Sequence, residues 1–87
     1  MISMILKLIK LRALDKLLGM RLWIKKFTIL DDDKLGVVIR MASDKCEVKF
    51  AIVVRNNNIS VYGPDSDINT KVHNYLEEVN NDRNKNH

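Results

Sequence analysis

The sequence predicts an α+β fold: an N-terminal helix, a four-stranded antiparallel β-meander, and a C-terminal amphipathic helix packed on the sheet. Three observations carry that expectation. Residues 2 to 18 are rich in Leu, Ile, Met, Ala and Lys and contain neither Gly nor Pro. Four segments between Arg21 and Gly63 shorten the apolar spacing towards two. Beyond Pro64, Ile68, Val72, Tyr75, Leu76 and Val79 return to helical spacing.

The first element reads as one helix over 2 to 18, stopped at Gly19, a residue that closes helices because it adopts the left-handed conformation without a Cβ clash. At about 100° per residue, Leu6, Ile9, Ala13 and Leu17 fall on one side and Met4, Leu11, Leu14 and Leu18 on the other. A helix apolar on nearly all sides needs more than one neighbour to cover it. Arg21 to Leu30, with Trp23, Phe27, Thr28 and Ile29, reads as the first strand and ends at Asp31-Asp32-Asp33, an acidic turn. Leu35 to Ala42 alternates Leu35, Val37, Ile39 and Met41 against Gly36, Val38, Arg40 and Ala42. After a tight turn at Ser43-Asp44-Lys45, Cys46 to Arg55 places Cys46, Val48, Phe50, Ile52 and Val54 on one face. Asn56-Asn57-Asn58 supplies residues that tolerate positive φ, as a short hairpin requires, and Ile59 to Gly63 forms the last strand. Asp65-Ser66-Asp67 offers capping oxygens for the final helix.

At 87 residues the chain has material for one core, and a chain of this size buries only about 60% of its unfolded surface. The domain is expected over 1–80. Residues 1–19 are a separable helical extension if translation begins at Met20, and 81–87 form a disordered polar tail. Charge divides unevenly. Residues 1 to 26 hold seven basic side chains and one acidic one, whereas 27 to 87 hold eight basic and ten acidic. Lys7, Lys10, Arg12, Asp15 and Lys16 interrupt every run long enough to approach the ~20 apolar residues that a bilayer crossing needs. No small-residue cleavage site follows a clean apolar stretch, so a secretory signal is not expected. The single cysteine, Cys46, fits a reducing, cytoplasmic setting and is expected to be a small buried hydrophobe in phase with its strand's core residues.

Catalytic and metal chemistry find little support. His73 has Glu77 one turn later, a pair that orients an imidazole, but no serine, cysteine or second histidine is expected where it would complete a site. Asp31-Asp32-Asp33 with Gly36 begins like a calcium loop, yet Ala42 stands where a bidentate glutamate is needed. Asn58-Ile59-Ser60 matches a glycosylation sequon without meaning in a cytoplasmic chain. No cofactor, metal or small-molecule substrate is implied, and no enzyme is expected.

Residues Glu47 to Glu78, with Asn57-Asn58, Ser60-Val61 and Gly63 ahead of a helix, resemble the end of the DinI-like proteins, which modulate the RecA filament. The resemblance covers about a third of the chain. The long helix between that family's first two strands is missing, and the last helix is less acidic.

The C-terminal helix can cover the sheet face that holds Phe50 and Ile52, but the opposite face, with Val38, Ala42, Ala51 and Val53, is also partly apolar and needs a cover of its own. The N-terminal helix is a candidate, but only one of its sides would be used. An apolar surface on the order of a few hundred Å² is then left over, the size that marks an interaction site. The expectation is a small non-enzymatic accessory protein that acts by macromolecular binding. Protein contact or homodimerisation leads, through Leu6, Ile9, Leu11, Leu14, Leu18 and Trp23. Nucleic acid is the second reading, through Lys7, Lys10, Arg12, Lys16, Arg21, Lys25 and Lys26, and an anionic membrane surface the third.

Overall fold

A computed structural model of the chain describes residues 2–30, 36–44 and 50–85. In chain order the elements are α1 (Ile2–Lys10), α2 (Ala13–Leu18), β1 (Leu22–Ile29), β2 (Gly36–Ser43), β3 (Phe50–Arg55), β4 (Asn58–Tyr62) and α3 (Ser66–Lys85). The strands form one antiparallel sheet in the order β1-β2-β3-β4, the expected meander. The expected turns at 31–33 and 45, with Leu35, Cys46, Glu47 and Val48, lie outside the described residues.

The N-terminal segment is two short helices rather than one. Arg12 takes a left-handed conformation (φ 60°, ψ 30°), and its N–H donates to Ile9 O at 3.0 Å while Leu11 N–H donates to Lys7 O at 2.9 Å, which closes α1. The reason lies in the apolar surround. On a straight helix Ile5 and Leu14, nine residues apart, would point in opposite directions at about 100° per residue. The break turns both inward: Ile5 is 0% exposed and Leu14 1%. A left-handed Arg costs roughly 1–2 kcal/mol, which the roughly 1.5–3 kcal/mol from burying one leucine side chain offsets. Gly19, also left-handed, closes α2 by donating its N–H to Asp15 O. With Met4, Ile5 and Leu14 in the core, residues 1–19 supply part of the fold's interior.

Register assigns the two faces of the sheet. Ile24 pairs with Met41 and then Phe50; Phe27 with Ile39, Ile52 and Val61; Ile29 with Val37, Val54 and Ile59. Directly opposed residues share a face, so these three rows line one side. The same cluster contains Met4 and Ile5 from α1, Leu14 from α2, and Val72 and Leu76 from α3. All three helices therefore cover one face. The N-terminal helix, a candidate cover for the other face, does not take that place: α1 and α2 share a layer with α3 and leave Val38, Ala51 and Val53 half-buried without a helix over them, whereas Ala42, opposite Trp23, is only 1% exposed. Once the kink turns Ile5 and Leu14 the same way, a single layer buries both.

Asn56 and Asn57 take positive φ (51° and 67°) between β3 and β4, as the asparagine run predicts. Asp65 caps α3, its Oδ1 accepting from the backbone N–H of Asp67 at 2.9 Å and of Ile68 at 3.2 Å. The helix runs on to Lys85 through residues expected to form a disordered tail. Once a helix is nucleated, each added residue makes another backbone hydrogen bond, so propagation does not require apolar packing.

Candidate functional site

The residues singled out from sequence do not form one patch. Leu6, Ile9 and Leu18 are half-buried against the core, and Leu14 is inside it, where no partner reaches it. Leu11, at the break between α1 and α2, is 62% exposed. It lines a shallow cleft of about 510 Å³ with Ala13, Lys16, Leu17 and Tyr75. Trp23 is 45% exposed but pairs with Ala42, on the sheet face turned away from the helices. Leu11 and Trp23 thus sit on opposite sides of the molecule's two layers.

The seven basic residues are all exposed and equally dispersed. Lys7 and Lys10 lie in the last turn of α1, where the helix dipole favours cations. Arg12 Nη2 stands 2.9 Å from Asp15 Oδ2, an ion pair without good hydrogen-bond alignment. Arg12, Lys16 and Arg21 line a second cleft, of about 390 Å³, with Asp15, Gly19 and Met20. Lys25 occupies a β-bulge, where the pairing of β1 with β2 skips from Ile24 to Lys26, and Lys26 pairs with Arg40 on the outer face.

His73 Nε2 is 3.6 Å from Glu77 Oε1, with both side chains well exposed. The structure also brings Ser60 and Thr70 to the cleft that His73 lines, together with Val61, Tyr62 and Asn69. The packing of α3 on β4 brings Ser60 to the same cleft as His73, 13 positions further on in the chain. A nucleophile needs its base within hydrogen-bond reach. Among the described residues, no hydrogen bond joins His73 to either hydroxyl. Asn69 instead uses its Nδ2 to donate to Gly63 O at 2.9 Å, tying the start of α3 to the end of β4. Among the described residues there is no group of three or more His, Cys, Asp or Glu able to hold a metal, and no helix long and apolar enough to cross a membrane.

The chain matches no protein-family model, curated protein or solved structure with which it was compared. Function must be argued from its surfaces.

Two surfaces stand out; the sequence points to the second as an apolar face in need of a cover, and not to the first. The first is the helix-side flank of β1. Ile24, Phe27 and Ile29 belong to the core rows by register, yet they are 37%, 41% and 58% exposed. Their row neighbours on β2 and β3 are at most 3% exposed. The helical layer thus reaches Leu22 at the start of the first strand but not the residues that follow it. The second is the outer sheet face, which presents Trp23, Lys26, Arg40, Arg55 and Tyr62 with no helix above them.

Proposed function

We propose that this chain is a small non-enzymatic binding protein that associates with a second copy of itself through the helix-side flank of β1. The observation that carries the reading is the exposure of Ile24, Phe27 and Ile29 in rows whose remaining members form the core. Such a strip resembles the edge of an unfinished interior, and a two-fold contact would cover it with an identical strip. Small domains gain most from such a contact, because their own cores bury the smallest share of surface.

The charge around the strip shapes this contact. Arg21 precedes β1, and Lys25 and Lys26 lie within it, with no acidic residue between Lys16 and Leu30. Lysines and a bulge are devices by which edge strands resist the addition of another strand. The association therefore runs through apolar side chains rather than through a continuous sheet. Sedimentation velocity at micromolar concentration tests this. A dimer that persists as salt rises is expected, because apolar contacts are not screened, and Phe27→Glu should leave a folded monomer. Wild-type protein that stays monomeric at ~100 µM, a concentration where even weak specific contacts are populated, would overturn the reading.

A further inference from the structure

The outer face of the sheet supports an inference independent of the β1 flank. We infer that it binds single-stranded nucleic acid, with Lys26, Arg40 and Arg55 holding phosphates and Trp23 and Tyr62 stacking on bases. Trp23 is 45% exposed and Tyr62 61%, both without a helix above them. Lys26 and Arg40 are exposed and directly opposed across β1 and β2, and Arg55 is exposed one strand further on.

Opposed like charges on a sheet are unfavourable, and an anion lying across Lys26 and Arg40 relieves that repulsion. None of the described residues on this face is acidic, so the part of the face they form complements a polyanion. Arg40, Ala51 and Tyr62 lie in a single cross-strand row with Lys26 at its end. At 4.7–4.9 Å between strands that row spans about 14 Å, the width of sheet on which two or three unstacked bases are commonly laid. Ala42, opposite Trp23, and Ala51, opposite Tyr62, are small enough to leave the surface flat between the two aromatics. Aromatic side chains set among cations in this way are the combination that binds single strands with little sequence preference, since every base has a π face. Duplex DNA presents its bases edge-on and stacked, so it uses the cations but not the aromatics.

Trp23 is the chain's one tryptophan, so its emission reports directly on the site. The experiment titrates the full chain with a labelled oligothymidylate of ~12 nucleotides, within the usual site size for single-strand binding. It follows label anisotropy and Trp23 emission together. The expected result is saturable binding with quenched Trp23 emission and an affinity that falls steeply with salt. Arg40→Glu and Lys26→Glu, both at exposed positions, should each weaken binding about tenfold and lower the salt slope by about 0.7, the value for one lost phosphate contact on a single strand. Tyr62→Ala should weaken binding by a similar factor. Lys7→Glu with Lys10→Glu, on the helical layer, should change it less than about threefold, and Phe27→Glu should leave it unaltered. No anisotropy change at low salt would overturn the inference, as would full binding by Arg40→Glu. Equal competition by poly-glutamate would also overturn it, in favour of an acidic polypeptide, and so would binding to anionic vesicles without any to the oligonucleotide.

Discussion

At the scale of the residue, three positions show where backbone conformation dictates side-chain choice. Gly36 has φ 145°, and a Cβ there would lie 1.7 Å from Val54 O on the neighbouring strand. The obstacle is backbone that is itself paired, so no flexible side chain can swing aside. Gly36→Ala should destabilise the protein by about 3 kcal/mol or more, measured by denaturant unfolding. Arg12 presents the inverse case, a residue with a Cβ in a left-handed conformation. In a helix interior Ala is favoured over Gly by about 1 kcal/mol. At position 12 the order should reverse, so that Arg12→Gly is more stable than Arg12→Ala by about that amount. If Ala is the more stable of the two, the segment is a continuous helix and the break is absent in solution. Asp65 makes two backbone hydrogen bonds at the start of α3, and Asp65→Ala should cost about 1 kcal/mol.

At the scale of the element, α2 and β1 show how far local pattern falls short of packing. Six residues are too few for an isolated helix to persist in water, so α2 exists because Leu14 is buried. Leu14→Ala should cost about 2–5 kcal/mol, the range for truncating a core leucine, which thermal unfolding would measure. A much smaller loss would mean that the N-terminal segment is not anchored to the sheet. The first strand has the opposite problem. Its alternation is that of a half-buried strand, but only Leu22 among its eight residues is buried. The bulge at Lys25 restores the phase after one extra residue, so that Phe27 and Ile29 lie on the same side as Ile24. Without that bulge, Phe27 and Ile29 would join the basic outer face.

At the scale of the whole molecule, one layer of helices lies on one layer of sheet, and the uncovered parts are of two kinds. The helix-side flank of β1 is apolar; the outer face is basic and aromatic. Different responses to salt separate them in one protein: self-association should persist as salt rises, and oligonucleotide binding should weaken. A chain begun at Met20 would keep the four strands and α3 but lose Met4, Ile5 and Leu14 from the core. It should show no cooperative unfolding transition, because the apolar rows of the sheet would be left partly in water. A cooperative transition in that shortened chain would make the first 19 residues an extension after all.

The order of elements was legible in the sequence because each signal for it is local. Alternation in Val37, Ile39 and Met41 names a strand face, the asparagines at 56 and 57 name a hairpin, and Asp65 names a helix start. The N-terminal segment was legible as helical and as too apolar to stand alone in water. The sequence could not show which layer it would join, because that depends on Arg12 turning two helix faces to one side. The candidate surfaces were hidden for the same reason. Lys26 and Arg40 become neighbours only through strand register, and Phe27 is exposed only because the helices do not extend along β1 beyond Leu22. Local preference determined the elements by themselves; tertiary packing decided which of their faces met water.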